Sequence, residues 1–402
     1  MTRVVTIGAG QAGAAMVARL RGAGHVGSIT LIGEEAAPPY QRPPLSKGYL
    51  MGEMDEERLW LRGPDFYTEH DITLRLGTPV TAIDPAAKTV TVGDDVIGYD
   101  ELVLTTGSSP RRLPAAVGGD LDGVYTVRML TDVDAMKTEF VAGRCVVIVG
   151  GGYIGLEAAA VAAKLGLDVT VLEMAPRILQ RVAAPETSDY FRALHTAQGV
   201  KILESTGLDR LMGETRVTGA RLADGRILPV DFVIAGVGII PGTALAAAAG
   251  LVIENGIKTD ANGRTSDPHI WAAGDCASFP WQGGRLRLES VGNAIDQAEV
   301  VADNIMGAVL AYDAKPWFWS DQYDCKLQIA GLNTGYDNIV TRGPDGPSVS
   351  FWYFKGDALL AVDAMNDPRS YMVGKRLIEQ GKSPVKAALS NPATVMKDLL
   401  KA

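Results

Sequence analysis

Two segments of the chain share one pattern of apolar and polar positions. Residues 4–13 (VVTIGAGQAG) and residues 146–155 (VVIVGGGYIG) each hold a short β-branched apolar run, then a cluster of glycines, and an Ala-rich stretch follows. An apolar run bounded by glycine is typical of a buried strand, and helical spacing after it predicts a helix. Because the two segments begin 142 residues apart, the same unit of strand, turn and helix is predicted twice.

The glycines of both units follow the spacing G-x-G-x-x-G, and they are Gly8, Gly10 and Gly13 in the first unit and Gly150, Gly152 and Gly155 in the second. The first glycine of such a set makes a tight turn, the second lets the backbone approach a pyrophosphate, and the third lets the helix pack on the strand. The sequence therefore predicts an α/β protein with two Rossmann-like dinucleotide-binding folds. Beside these glycines we expect cofactor contacts from Ala12, Tyr153 and Ile154.

A carboxylate follows the second strand of each unit. Glu34 and Glu35 come directly after the strand ITLIG, and Glu173 ends the strand VTVLE. A carboxylate at this place accepts hydrogen bonds from the ribose hydroxyls of an adenosine, and it repels a 2′-phosphate. NADH is therefore favoured over NADPH at the second unit, although Arg177 and Arg181 nearby keep NADPH open.

Length and composition fit a globular, multidomain protein. The 402 residues exceed what one hydrophobic core uses, and 47% apolar with 21% charged residues lies in the globular range. A net charge of −9 argues against a nucleic-acid partner. Three scattered cysteines provide neither a disulfide framework nor a C-x-x-C motif, so the cytoplasm is the expected compartment.

Other site and membrane classes find little support in the sequence. The uncharged residues 232–253 are long enough to span a bilayer, but their glycines and proline favour a strand, a turn and a short Ala-rich helix. The first 18 residues resemble a signal peptide, yet the glycine spacing explains them better. The four histidines have no ligand spacing with Cys or carboxylates, so no metal is expected.

Taken in order, these motifs resemble the two-dinucleotide flavoprotein family that includes glutathione reductase. The segments ELVLTTGSSPRRLP and TSDPHIWAAGDCA match its flavin side. The resemblance implies a resident, non-covalent FAD at the first unit and NADH as substrate at the second. It also implies that Thr106, Gly107 and Gly274 border the FAD and that Asp275 holds a ribityl hydroxyl.

The absence of an early Cys pair distinguishes this chain from the disulfide reductases of that family. Disulfide reductases of that family carry a Cys pair soon after the first unit, whereas no Cys precedes Cys145 here. The segments RPPLSK, GGGYIGLE, ESVGNA and PWFWSDQ are similar to FAD-dependent ferredoxin reductases of bacterial oxygenase systems, the putidaredoxin reductase type. This likeness implies a discontinuous FAD domain at 1–112 and 246–320, an NAD domain at 113–245, and a C-terminal α+β domain at 321–402.

Two residues receive a catalytic role from this likeness. Pro43 and Pro44 can preset a helix start, which would place Lys47 in the first turns of that helix. Glu157 follows Gly155 by two positions, so we expect it in the first turn of the second helix. The likeness implies that Lys47 and Glu157 pair beside the flavin and act by orientation and electrostatics rather than proton abstraction.

Further cofactor contacts implied by the likeness are Arg42, Val80, Arg128, Gly238, Val291, Asn293 and Trp319. Of these, Trp319 either lines the flavin or is a core aromatic residue. An acidic ferredoxin would need a basic rim on this acidic protein, for which the candidates are Arg42, Arg62, Arg111, Arg112, Arg285 and Arg287.

The function implied is transfer of a hydride from NADH to FAD, followed by single electrons to a 2Fe-2S ferredoxin that supplies a cytochrome P-450 or a Rieske-type oxygenase. Rubredoxin reductase and NADH oxidase on the same scaffold are alternatives. A non-catalytic NADH sensor like apoptosis-inducing factor is a third.

Overall fold

The computed structural model describes residues 1–343 and 348–401. The strands of this part are β1 (Val4–Ile7), β2 (Ile29–Ile32), β3 (Ile72–Arg75), β4 (Val80–Asp84), β5 (Thr89–Val92), β6 (Asp95–Gly98), β7 (Glu101–Leu104), β8 (Ser108–Pro110), β9 (Val124–Tyr125), β10 (Cys145–Val149), β11 (Asp168–Leu172), β12 (Lys201–Leu203), β13 (Leu208–Met212), β14 (Gly219–Leu222), β15 (Ile227–Pro229), β16 (Phe232–Ala235), β17 (Ile239–Pro241), β18 (Ile257–Lys258), β19 (Ile270–Ala272), β20 (Ala277–Trp281), β21 (Gly284–Leu286), β22 (Trp317–Gln322), β23 (Cys325–Gly331), β24 (Asn338–Arg342), β25 (Val349–Lys355) and β26 (Ala358–Met365).

The α-helices are α1 (Gln11–Gly22), α2 (Pro64–Glu69), α3 (Leu130–Lys137), α4 (Tyr153–Lys164), α5 (Pro185–Ala197), α6 (Ala244–Ala248), α7 (Val291–Ile305), α8 (Pro368–Glu379) and α9 (Lys386–Ser390). Short 3-10 helices lie at Pro43–Ser46, Glu57–Leu59, Ala115–Val117 and Met396–Lys401.

The chain divides into two compact units, each built from segments that are not consecutive. The first unit comprises Met1–Arg42, Met54–Ser109 and Ile239–Pro316. The second comprises Pro43–Glu53, Pro110–Gly238 and Trp317–Ala402. The division into an FAD, an NAD and a C-terminal domain, with the boundaries given above, stays a prediction.

The first unit is built around a parallel sheet in the order β19-β7-β1-β2-β3. The glycine-bounded run of the first motif forms its central strand, β1, which pairs in parallel with β2 and β7. On one face α1 packs beside α7 through a core that includes Met16, Leu20, Ala298 and Val301. Gly274, which follows β19, lies close to both helices, since a Cβ there would lie 3.1 Å from the Ala12 Cβ of α1 and 3.8 Å from the Ala294 Cβ of α7.

The second unit repeats the arrangement in the order β12-β11-β10-β16-β9, again all parallel, with β10 central. It also holds the antiparallel sheet β22-β23-β26-β25-β24, on which α8 packs. One buried cluster joins this sheet to α4 and α5, through residues such as Leu156, Phe191, Leu327 and Phe351. The predicted class, two dinucleotide-binding folds and a C-terminal α+β region, is confirmed.

The uncharged stretch at 232–253 folds as predicted. It forms strand β16, a turn with the short strand β17, and the Ala-rich helix α6. Among the described residues, no helix combines the length and the apolar character that crossing a membrane requires.

Candidate functional site

The first glycine loop lies between β1 and α1. Gly8 has a φ of +112°, and a Cβ there would lie 2.2 Å from the Thr105 carbonyl oxygen. A Cβ on Gly13 would lie 2.0 Å from the Gly8 carbonyl oxygen, whereas one on Gly10 would meet no described atom within 4 Å. The outer two glycines therefore allow close packing, and the middle one leaves open space at the start of a helix. That arrangement fits a dinucleotide pyrophosphate.

The carboxylates after β2 have different environments. Glu35 accepts hydrogen bonds from Arg42 at 2.7 Å and from the Tyr40 hydroxyl at 2.5 Å, and Glu34 is exposed. Arg42, which we expected to contact the cofactor, forms an ion pair with Glu35. Val80 is the first residue of β4 and is buried.

Asp275 lies just after β19, in the same unit as the first loop. Its carboxylate accepts a hydrogen bond from the Ser108 hydroxyl at 2.9 Å. Gly274 has a φ of +81°, which favours glycine, and approaches Ala12 of α1. Parallel strands bring these carboxyl-terminal ends to one edge of a sheet, so Asp275 lies at the edge where the first glycine loop begins.

Two further predicted positions, Thr106 and Gly107, follow strand β7 in the first unit. The Thr106 hydroxyl donates to the Gly242 carbonyl oxygen at 2.5 Å. The next residue, Gly107, has a φ of +61°. The chain therefore turns here by a conformation that favours glycine.

The start of α7 is closed by its own cap. Val291 is the first helical residue, and the Ser290 hydroxyl accepts a hydrogen bond from the Asn293 N–H at 3.2 Å. The Asn293 side chain is buried, donates to the Leu288 carbonyl and accepts from the Tyr312 hydroxyl. The cap therefore occupies the backbone N–H of Asn293, one of the two residues of this helix that we expected to contact the cofactor.

The second glycine loop reproduces the first. Gly150 has a φ of +109°, and a Cβ there would lie 2.3 Å from the Gly236 carbonyl oxygen. A Cβ on Gly155 would lie 2.2 Å from the Gly150 carbonyl oxygen, and one on Gly152 would meet no described atom within 4 Å. The second loop therefore fits a dinucleotide pyrophosphate by the same criteria.

Glu173 is held beside this loop by backbone donors. Its carboxylate accepts from the N–H groups of Gly151 and Ala175, both at 2.8 Å. Arg177 points elsewhere, since it donates to the Ser188 hydroxyl at 2.6 Å. The negative charge at this strand end is therefore fixed in place, which supports the preference for NADH.

The remaining predicted residues of the second unit are placed as follows. Gly238 has a φ of +99°, and a Cβ there would lie 3.8 Å from the side chains of Arg111 and Arg181. The Arg128 N–H donates to the Asp132 carboxylate at the start of α3. At the start of α4, Ile154 is 44% exposed, while the Tyr153 ring packs at 5.1 Å from the Phe318 ring.

Lys47 and Glu157 form a buried ion pair. The Lys47 Nζ lies 3.0 Å from Glu157 Oε1, and the two side chains are 17% and 6% exposed. The hydroxyls of Ser46 and Ser320 each donate to the Glu157 carboxylate at 2.7 Å. Burial raises the pKa of Glu157, while Lys47 and the two hydroxyls oppose that rise. Asp321 lies 3.8 Å from the same Nζ.

Two local expectations about this pair are wrong. Lys47 does not lie inside a helix, because the two prolines begin only a 3-10 helix, Pro43–Ser46, and Lys47 follows its last residue. Glu157 is not in the first turn of α4, which begins at Tyr153, so Glu157 opens the second turn. Its carboxylate is stabilised by Lys47 and two hydroxyls, and it lies beyond the first turn, where the charge of a helix end acts most strongly.

Trp319 is half-buried on β22. Its ring stacks on that of Trp317 at 5.5 Å, and both line an open groove of about 680 Å³ with Lys326 and Tyr371. Phe318, between them, points to the opposite face and packs on Tyr153. Trp319 is therefore a groove-lining residue within its own unit rather than a core residue.

Two of the arginines proposed for the basic rim are less exposed than the sequence suggests. Arg285 and Arg287 are only 20% and 12% exposed, and both donate to backbone carbonyl groups of the first unit. Arg62, Arg111 and Arg112 are exposed.

The sequence did not predict four polar residues that hydrogen bonds connect to Glu157, directly for Ser46 and Ser320 and through Ser320 for Gln322 and His195. They are all buried. The segment PWFWSDQ contained a signal for two of them, because residues two apart on a strand, such as Ser320 and Gln322, share a face. Among the described residues, no group of His, Cys, Asp and Glu could hold a metal ion.

Comparisons with known proteins are consistent with this geometry. Residues 2–298 match the family described as pyridine nucleotide-disulphide oxidoreductase, and residues 317–400 match the domain described as reductase C-terminal. The chain is 43% identical over 404 residues to the ferredoxin–NAD(P)+ reductase of Sphingomonas sp, with 99% of this chain and 97% of that protein covered.

A second relative and a solved structure also match the chain over nearly its whole length. Putidaredoxin reductase of Pseudomonas putida is 42% identical over 409 residues, with 99% of this chain and 97% of that protein covered. The crystal structure of the covalent putidaredoxin reductase–putidaredoxin complex has a TM-score of 0.96 and 40% identity, and it covers 100% of this chain and 98% of that one. As its motifs imply, the chain belongs to the pyridine nucleotide-disulphide oxidoreductase family and is an oxidoreductase.

Proposed function

We propose that the chain is an NADH-dependent ferredoxin reductase. FAD is held non-covalently at the first glycine loop, and NADH binds at the second. The observation that carries the proposal is the presence of two loops of matching geometry in a chain whose described cysteines are all free, so that they form no disulfide to accept electrons. Two dinucleotides in one chain provide a hydride donor and a resident acceptor.

The state of the cysteines supports the second half of that observation. Cys145, Cys276 and Cys325 are all free. Burial raises the pKa of each thiol, that of Cys325 to about 11. Because the thiolate is the reactive form of cysteine, a raised pKa makes these thiols poorly suited to redox exchange with a flavin.

When bound, FAD supplies the conversion between a two-electron donor and a one-electron acceptor. The chain's own residues bind and orient. Lys47 presents an ammonium group whose position is fixed by Glu157, and Glu157 is in turn held by two serine hydroxyls. Both residues act through charge and position, and neither needs to take up a proton from NADH.

The partner that we propose is a 2Fe-2S ferredoxin that supplies a cytochrome P-450 or a Rieske-type oxygenase, with the cytoplasm as the compartment. Support comes from relatives named as a ferredoxin reductase and a putidaredoxin reductase, and from a solved complex of such a reductase with its redoxin. These matches do not favour the oxidase, rubredoxin reductase and sensor alternatives.

Stopped-flow mixing tests the proposal. The FAD-loaded protein is mixed with NADH or NADPH, and flavin bleaching is followed before a 2Fe-2S ferredoxin is added. We expect rapid bleaching by NADH, slower bleaching by NADPH, and then reduction of the ferredoxin. Slow bleaching with no ferredoxin reduction would contradict the proposal and support a sensor.

A further inference from the structure

A continuous row of hydrogen bonds extends from the ion pair within the second unit. Ser320 donates to Glu157 at 2.7 Å, and the Gln322 amide donates to the Ser320 hydroxyl at 3.1 Å. The Gln322 carbonyl oxygen lies 2.8 Å from His195 Nε2, and His195 Nδ1 lies 3.1 Å from the Tyr323 hydroxyl. The row therefore links the Glu157 carboxylate to strand β22, to His195 on α5 and to the turn after β22.

The direction of every proton in this row follows from the carboxylate. An ionised Glu157 only accepts, so the Ser320 proton points to it and the Ser320 oxygen accepts from the Gln322 NH₂. The Gln322 carbonyl then faces His195, whose Nε2 must carry a proton. Burial lowers the pKa of His195, so the ring is neutral, and its Nδ1 accepts from Tyr323. All donors point toward Glu157.

The local structure fixes the members of the row. Ser320 and Gln322 share the inward face of β22, and both are fully buried, as is His195 on α5. Tyr323 begins the turn to β23 with a φ of +55°, a left-handed conformation that a non-glycine residue keeps only when its surroundings hold it. The Tyr323 ring meets the His195 ring edge-on at 5.1 Å.

We propose that Ser320, Gln322, His195 and Tyr323 are positioning residues that hold Glu157 ionised and in one orientation, and so fix Lys47. Aligned hydrogen bonds polarise one another in a medium of low dielectric constant, so donors beyond Ser320 contribute. The consequence for flavin reduction rests on the proposed function. The effect on the Glu157 carboxylate does not.

Few charged or titratable groups among the described residues contact Glu157 or this row, so a titration of Glu157 can test the proposal. Lys47 contacts it directly, and Asp321 contacts Lys47 at 3.8 Å. His195 and Tyr323 are the titratable groups on the other side, beyond Ser320 and Gln322.

The experiment measures the titration of Glu157 in the FAD-loaded protein by isotope-edited infrared spectroscopy, with the band assigned by its loss in Glu157→Gln. Ser320→Ala removes the last donor, and His195→Leu removes a distant one. His195→Gln keeps a donor toward Gln322. Ser350→Ala, which truncates a buried serine on β25 of the same sheet, is the matched control.

We expect the Glu157 pKa to rise by about one unit in Ser320→Ala and by about half a unit in His195→Leu. His195→Gln and Ser350→Ala should leave it within about 0.2 units of the parent. The acidic limb of the pH profile for flavin reduction by NADH should move by the same amounts. A role that is only structural would lower the melting temperature without moving either titration.

Two results would overturn the proposal. One is an unchanged Glu157 titration in Ser320→Ala, and the other is a change in Ser320→Ala with none in His195→Leu. Because the infrared measurement needs neither NADH turnover nor a partner protein, it succeeds or fails independently of the proposed function.

Discussion

At the scale of residues, the ion pair of Lys47 and Glu157 depends on a few close contacts. A buried carboxylate costs solvation energy that only close partners offset, and Glu157 has an ammonium and two hydroxyls around it. Removing one partner of such a pair leaves a buried charge without compensation. The carboxylate then responds by taking up a proton more readily.

Lys47→Met tests this dependence. We expect the rate of flavin reduction by NADH to fall roughly tenfold, about 1.4 kcal/mol in the barrier, because the oriented ammonium is lost. The Glu157 pKa should rise further, so the variant's loss of stability relative to the parent grows as pH increases. Stopped-flow reduction and thermal unfolding at several pH values measure the two effects.

Lys164→Met is the matched control for that variant. Lys164 lies on the same helix, α4, but pairs with Glu53 at 3.3 Å where both side chains are more than half exposed. Exposed pairs of this kind contribute little, so neither the rate nor the pH dependence should change. Equal effects of the two substitutions would show that net charge, rather than the buried pair, is what matters.

At the scale of elements, the glycines of each loop differ in why a side chain is excluded. Some are needed for packing within the fold, and others leave space for a ligand. Gly155 must lack a side chain because the Gly150 carbonyl fills that space, whereas Gly152 faces open space. The two glycines look equivalent in the motif. In the structure, Gly155 serves packing, whereas Gly152 leaves space for the pyrophosphate.

Alanine substitutions in the second loop should therefore have opposite signatures. Gly152→Ala should raise the KM for NADH roughly tenfold with little change in melting temperature, because only the approach of the pyrophosphate is blocked. Gly155→Ala should lower the free energy of unfolding by about 3 kcal/mol, because a Cβ collides with backbone. Steady-state kinetics and thermal unfolding measure both, and Gly10→Ala, in the other loop, should leave the KM for NADH unchanged.

Sequence patterns located the elements well because the signals are local. The runs around both motifs became β1, α1, β10 and α4 within a few residues. Patterns alone did not reveal the neighbours of Glu157, because Ser320 approaches it only through the packing of β22 on α4. Likewise, nothing in the local sequence shows that the Arg285 guanidinium donates a hydrogen bond to a backbone carbonyl group.

At the scale of the whole molecule, the C-terminal region shares a core with the second dinucleotide fold. A buried polar cluster reinforces this core, since Asp363 on β26 accepts hydrogen bonds from Thr187 on α5 at 2.7 Å and from Tyr353 on β25. Burial raises the pKa of Asp363 to about 6, and the two hydroxyls only partly oppose this. The cluster therefore makes the stability of the second unit depend on pH.

The sign of that dependence follows from the raised pKa. The folded protein binds the Asp363 proton more tightly than the unfolded chain does, so this stabilisation is full below the ordinary pKa of an aspartate and is lost as pH rises through about 6. Asp363→Asn mimics the protonated side chain and removes the loss. From about pH 5 to about pH 8, the free energy of unfolding of Asp363→Asn relative to the parent should therefore improve by about 1 kcal/mol. Denaturant unfolding at both pH values measures this, with Asp357→Asn, fully exposed between the same two strands, as the control. Parallel pH dependences of Asp363→Asn and the parent would mean that Asp363 does not couple protonation to the packing of the C-terminal sheet on α5.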